Sequence, residues 1–439
     1  MKKITIYLLI ITASVLVSCT EWLTIQPEDT LSKDEMFESK DGFYGALYGI
    51  YTLSEKNYGH NGELMSNTIE HLAGQWAVKS ESTEEKLRSH DYTTLDTQIA
   101  LIFRNQYKTI ANVNLMLEYL ETQDFLSDGD YKTLKGECLA IRAWLHFDLI
   151  RLWGPVPSRL NQAKLYLPYV TTFGYERNKY YVYNEYMKLL ADDIEQAETL
   201  LEGMPFESDF RLNYWGLKAL QARIYLWEDD KQKAYDAASE VIAYAKSTTP
   251  AVYELGTLDA IGAKQYLFPS EHVFGIYDDF EAVAFRNTLY NFTQYLNELY
   301  EYSASDIRLE LWENRNVQGL EQPAMNLLKY AAGSGSVSII RLSEIYFIAM
   351  ECGSLAQASA LYTEFCIARG IPQVSITTET QRNSILFKEY RKEFIGEGVL
   401  FWYYKRHMTT NIPNSGHTCT EKCYVLPLPK EEVNVNLNN

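Results

Sequence analysis

The chain has 439 residues, with 40 Lys and Arg against 58 Asp and Glu, a formal charge of −18. So acidic a total excludes a nucleic-acid binder, because neutralising phosphates requires clustered Lys and Arg. Its 46% hydrophobic and 22% charged fractions are those of a folded chain, and 34 tyrosines outnumber 18 phenylalanines, rings that suit half-wet surfaces as well as cores.

Residues 1–18 read as a lipoprotein signal peptide. Lys2 and Lys3 form a basic start, and Ile4 to Val17 is an apolar run too short to span a bilayer comfortably. It closes at Leu16-Val17-Ser18-Cys19, which resembles a lipobox, so Cys19 is the expected lipidation site. Cleavage removes both lysines and leaves residues 19–439, read as one domain, at −20. No later stretch is long and apolar enough to predict a second membrane segment.

Further along, apolar residues at helical spacing predict paired amphipathic helices. The expected scaffold covers about 98–153, 183–246 and 338–396. Within it Leu134, Cys138, Ile141, Leu145 and Leu149 recur on one face, and small residues such as Ala219, Ala222, Ala234, Ala237 and Ala238 permit close helix approach. This is the habit of tetratricopeptide-like pairs, which cannot bury their faces alone and stack into a superhelix. Between them lie inserts at about 52–97, 154–182, 247–337 and 397–439, rich in Gly, Pro, Asn, Tyr and Thr. Loops of that length are either functional or disordered, and their aromatic content argues against disorder. The predicted fold is mainly α: a helix-pair superhelical scaffold carrying long irregular loops and a few short strands.

Chemistry is scarce. No zinc-protease, phosphate-loop, nucleophile-elbow or dinucleotide-binding motif occurs, so neither catalytic residues nor a cofactor is expected. Glu393 and Glu397 share a helix face, but with Arg142, Arg341, Glu344, Glu389 and Arg391 they read as structural ion pairs rather than an acid–base pair. Cys138, Cys352 and Cys366 fall on apolar helix faces. Cys419 and Cys423, in a polar stretch, are expected as a local disulfide or free thiols. His407 and His417 lie nearby, yet the spacing fits no ligand pattern well, and no metal is expected.

Six ordered segments resemble the SusD/RagB family of outer-membrane nutrient-uptake lipoproteins. Trp22 to Pro27, with Ala46-Leu47-Tyr48-Gly49-Ile50-Tyr51, is similar to the family's opening. Gly136 to Trp144, running on to Leu152-Trp153-Gly154-Pro155-Val156-Pro157, resembles its helix with an Arg-Ala step and an aromatic-Gly-x-Val-Pro turn. Ile340 to Tyr346, Glu389 to Gly398 with Lys405-Arg406, and Leu426-Pro427-Leu428-Pro429 with Glu432 resemble later motifs. Val399 to Tyr404 departs from the usual run, and the chain is short for the family.

The resemblance implies a non-enzymatic lipoprotein, anchored in the outer membrane and facing the cell exterior. It would capture oligosaccharide and deliver it to a SusC-like TonB-dependent transporter. An oligopeptide is the alternative ligand, and a surface glycoside hydrolase a more remote one. Sugar capture would use ring stacking flanked by hydrogen-bonding side chains. Trp144, Trp153, Trp215 and Trp227 fall at core spacing, leaving Trp76 and Trp312 in inserts as candidate platforms. Tyr58, Tyr277, Tyr290 and Tyr295, with Asn67, Arg286 and Asn291, complete the candidate set. On this reading, Trp76→Ala weakens binding without unfolding the chain.

Overall fold

In a computed structural model the described residues are 33–59, 62–205, 208–278, 289–301, 303–315, 323–329, 335–413 and 415–437. The expected lipidation site Cys19 lies outside them.

Among the described residues, nine helices form the scaffold: α1 (Lys40–Tyr58), α2 (Asp96–Thr122), α3 (Asp128–Trp153), α4 (Tyr183–Leu201), α5 (Tyr214–Trp227), α6 (Lys231–Ala245), α7 (Leu342–Cys352), α8 (Leu355–Arg369) and α9 (Glu379–Glu393). Each packs on its chain neighbours: α1 on α2, α2 on α3, α3 on α4, α5 on α6, α6 on α7, and α7 on α8. Side-chain caps set several starts. Ser39 accepts the Gly42 N–H, Ser127 the Asp130 N–H and Thr378 the Gln381 N–H, while Ser354 and Gln357 form a capping box. Helix α3 is the central strut, buried almost continuously from Leu134 to Trp153. It therefore carries charged groups inward, and these are paired: Arg142 clasps Asp193 at 2.6 and 2.8 Å, and Glu137 and Asp148 take Arg211 and Arg151. Among the described residues, no helix is long and apolar enough to cross a membrane.

The expected helical scaffold is present, with two differences. Residues 338–341 belong to a strand, and α1 is a full scaffold helix inside what reads as an opening motif and an insert. Gly42, Gly45 and Gly49 dilute its apolar signal, yet Phe43, Leu47, Ile50, Tyr51, Ser54 and Tyr58 hold its inner face in the core. A Cβ at Gly45 or Gly49 would meet nothing within 4 Å. Gly45→Ala and Gly49→Ala are each expected to raise stability by about 0.5–1 kcal/mol in urea unfolding, through reduced backbone entropy loss.

The strands are few and short. β1 (Leu165–Pro168) pairs with β2 (Tyr180–Val182), both antiparallel. β3 (His272–Tyr277) pairs antiparallel with β7 (Ser336–Arg341), which leads directly into α7. β4 (Tyr290–Asn291), β5 (Trp312–Arg315) and β6 (Ala324–Leu327) form a sheet in the order β4-β6-β5. Around that sheet the 52–97 and 247–337 inserts together build a small core, including Trp76, Leu289, Leu296, Leu299, Tyr300, Leu311 and Trp312.

Candidate functional site

Helix α1 buries one face, so the residues on its flank meet solvent. Tyr48, Tyr51, Thr52 and Glu55 from that flank line a cavity of about 420 Å³. Its other wall comes from the end of β3 (Ile276, Tyr277) and the turn before α5 (Ser208, Phe210, Arg211). Tyr48 is 52% and Tyr277 56% exposed, both far outside the range of a core aromatic. Phe210 meets Tyr277 edge to face, with centroids 6.1 Å apart.

The polar wall is held from behind. The Tyr51 hydroxyl donates to Glu137 Oε2 at 2.9 Å and accepts the Leu212 N–H at 2.7 Å. Glu137 also grips the Arg211 guanidinium, which lies 5.4 Å from the Tyr44 ring centroid. Burial pulls the Arg211 pKa down, but Glu137 outweighs it and the cation is reinforced. Desolvation pushes the Glu55 carboxyl up, and the Asp278 charge adds to the rise. The cleft thus offers apolar ring faces beside a fixed cation, a carboxyl group and hydroxyls, a combination that recognises polyhydroxylated rings.

Of the sequence candidates, Tyr277 lies in this cleft. Tyr58 sits further along α1 on its buried face, 1% exposed, its hydroxyl donating to Asp148 at 2.6 Å. Trp76, Tyr290, Asn291, Tyr295 and Trp312 come together elsewhere, in and around the small core of the two inserts. Trp76 is 2% exposed; its indole N–H donates to Glu70 Oε2 at 2.8 Å and its ring centroid lies 5.8 Å from that of Trp312. Trp312, itself buried, donates to the Tyr300 hydroxyl at 3.3 Å. These two rings cover one another instead of offering a free face, because the two inserts share an apolar centre that they must fill. Tyr290 is buried in β4, and Asn291 donates to the Gln75 carbonyl at 2.9 Å. The Tyr295 hydroxyl donates to Gln75 Oε1 at 3.2 Å, and its ring borders a shallow depression with Phe292, Gln294, Glu298 and Asn314. Asn67 is half-buried in a short π-helical turn, Met65–Ile69, and Arg286 lies outside the described residues.

Tyr48, Glu55, Phe210 and Arg211 were not legible as site residues. The available signal was Tyr48, an aromatic on the side of α1 opposite the Phe43, Leu47 and Ile50 repeat.

The charged helical residues form ion pairs, as their spacing suggested, except Arg391, whose guanidinium donates to Gln75 Oε1 at 3.3 Å. Glu393 meets Arg369 at 2.6 Å, Arg341 at 3.0 Å and Arg308 at 3.3 Å, and Glu397 meets Arg341 at 2.6 Å. Glu271 bridges Arg369 and Arg341 at 2.5 and 2.7 Å. Cys138, Cys352, Cys366, Cys419 and Cys423 are all free thiols.

The architecture is a tetratricopeptide-like helical scaffold that carries a loop-rimmed cleft. Residues 21–226 match the family SusD-like_3, described as starch-binding associating with outer membrane. SusD-like protein P38 of Formosa agariphila is 26% identical over 248 residues, 55% of this chain and 46% of that protein. A second relative from the same organism, SusD-like protein P25, is 21% identical over 52% of this chain and 43% of its own length. The matched segment thus spans less than half of each relative. A SusD superfamily protein from Bacteroides thetaiotaomicron shares the fold with a TM-score of 0.74 at 22% identity, over 91% of this chain and 98% of its own. A laminarin-binding SusD-like protein superposes with a TM-score of 0.70 at 17% identity, over 90% of this chain and 97% of its own. Over residues 21–226 the chain is thus similar to the SusD-like_3 family, and its fold is that of the SusD superfamily structures.

Proposed function

We propose that this protein captures an extracellular oligosaccharide in the Tyr48–Tyr277 cleft and passes it, without chemistry of its own, to a SusC-like TonB-dependent transporter. Lipid on Cys19 holds it at the outer membrane, facing outward. The observation that carries the binding reading is the pair of half-exposed tyrosines set against the fixed Arg211 cation. A sugar ring stacks its C–H face on an aromatic ring while its hydroxyls reach the guanidinium and the Glu55 carboxyl. The family description and the laminarin-binding neighbour support a glycan ligand. The family resemblance supports the transporter and the anchor.

Calorimetry with laminarin and starch-derived oligosaccharides as probes tests this reading. Tyr277→Ala should weaken binding of the responding glycan tenfold or more, about 1.4 kcal/mol, with the melting temperature unchanged because the ring is exposed. Unchanged affinity removes the cleft assignment. Binding of a peptide pool with no glycan response selects the oligopeptide ligand instead, and release of reducing ends by the purified protein refutes a purely binding role.

A further inference from the structure

Outside the cleft, four side chains converge in a way that the binding reading does not use. His90 follows the short helix Thr83–Arg88 and sits in the left-handed region at φ 55°. His417, Cys419 and Cys423 come from the far end of the chain, 327 residues from His90 in the case of His417. One hydrogen bond shapes the C-terminal segment and a second ties it to the His90 segment. The Cys419 N–H donates to the Thr410 carbonyl at 2.7 Å, and the Tyr92 hydroxyl donates to the Cys423 carbonyl at 2.7 Å.

The four potential ligand atoms lie within 4.8 Å of one another. His90 Nδ1 is 3.2 Å from His417 Nε2, and His417 Nε2 is 3.6 Å from both Cys419 Sγ and Cys423 Sγ. Cys419 Sγ is 3.8 Å from His90 Nδ1. A tetrahedral zinc ion with bonds of about 2.0–2.1 Å to nitrogen and 2.3 Å to sulfur separates its ligands by about 3.3 Å (N to N) and 3.6 Å (N to S). The observed spacings are those of such a shell.

The outer faces of the two imidazoles agree. His90 Nε2 is 3.2 Å from the Leu72 carbonyl oxygen, and His417 Nδ1 is 3.0 Å from the Ser415 carbonyl oxygen. Each of those nitrogens must donate a proton outward. A neutral ring then turns a lone pair inward, so two acceptor nitrogens face each other at hydrogen-bond distance with nothing between them to share. A cation resolves that opposition, and this outward bonding to carbonyls is how metal-bound histidines are fixed. Both cysteines are buried and unpaired, at 1% and 6% exposure, which leaves their sulfurs available as thiolates.

We propose that His90 Nδ1, His417 Nε2, Cys419 Sγ and Cys423 Sγ bind one zinc ion as a closed, structural site. The two imidazoles and two sulfurs select zinc over hard cations such as calcium or magnesium. Four protein ligands fill a tetrahedral shell and leave no position for substrate, so the site is a staple and not a reaction centre. It ties the insert before α2 to the segment after α9. Each thiol releases its proton on binding, so uptake is weakened at acid pH. The sequence-based expectation of no metal considered His407, which pairs instead with Glu351 at 3.3 Å; His90 was too distant in the chain to be grouped with the cysteines.

The test uses the full chain purified without chelator or metal-affinity resin. Elemental analysis should find one zinc per chain. X-ray absorption should place two nitrogen and two sulfur neighbours at the distances above. Cobalt substitution should give sulfur-to-metal charge transfer and tetrahedral d–d bands. Cys423→Ser and His90→Ala should each lose the bound equivalent, and a strong chelator should lower the melting temperature of the parent chain but not of the variants. Because a variant can misfold, the parent chain decides the matter. A parent that takes up neither zinc nor cobalt, or whose Cys419 and Cys423 form a disulfide by mass spectrometry, overturns the proposal.

Discussion

Glu393→Gln should lower the unfolding free energy by about 3–5 kcal/mol in urea titrations, the cost of breaking a buried ion pair from one side. Glu393 is 1% exposed and touches the guanidiniums of Arg308, Arg341 and Arg369. Glutamine keeps the shape and removes the charge, so three buried cations lose a shared counter-ion. Burial alone would raise the Glu393 pKa, but Arg369 and Arg341 outweigh it and hold the carboxyl well below the usual range. A depressed carboxyl contributes stability that is complete above the unfolded value of about 4.3 and is lost as pH falls through the folded value. Acid unfolding should therefore begin below about pH 4, and Glu393→Gln should flatten the stability–pH slope there. If the variant unfolds at the parental midpoint, the network is not a structural element. A double change, Glu393→Met with Arg369→Met, should recover part of the loss, since apolar replacements remove both members together.

Trp76→Ala should be nearly as severe, about 3–5 kcal/mol, on the scale of deleting a buried aromatic. The ring packs against Trp312, and its N–H is one of three donors to the Glu70 carboxylate, beside the backbone N–H groups of Gly396 at 2.8 Å and Gly398 at 2.5 Å. Truncation thus opens a cavity and strips a buried carboxylate of a partner. The measurement is a denaturant midpoint together with glycan affinity in the native baseline. A large loss of stability identifies a packing residue. A stable variant with lost affinity would restore Trp76 as a sugar platform.

These two residues mark where sequence reading succeeds and where it stops. Apolar periodicity exposed α2 to α9 because their buried faces repeat every three or four residues. The same logic marked charged residues inside apolar helices as ion pairs, and Glu393 is one. It failed for Trp76 and Trp312 because long inserts without periodicity read as loops, whereas these two inserts close a shared apolar core around a three-stranded sheet. Tyr277 was within reach as an insert tyrosine. Phe210 and Arg211 were not, since a short turn before α5 carries no pattern. The His90–Cys419–Cys423 grouping was out of reach for a topological reason: no spacing rule links residues that only the finished fold brings together.

The far end of α3 shows the same dependence on distant chain. The Leu426 N–H bonds to the Leu152 carbonyl at 3.1 Å, the Trp153 indole N–H to the Pro427 carbonyl at 2.9 Å, and Lys405 Nζ to the carbonyls of Arg151 and Gly154 at 2.5 and 3.0 Å. These contacts join segments some 250–274 residues apart. Closing so long a loop is slow, because its chain entropy is lost before any contact compensates. The seam is therefore expected to form after the helix pairs have assembled, in which case its contacts act on the rate of opening. Residues 405–427 are therefore expected to set how long the folded scaffold lasts more than how fast it is reached, so substitutions there act on kinetic stability.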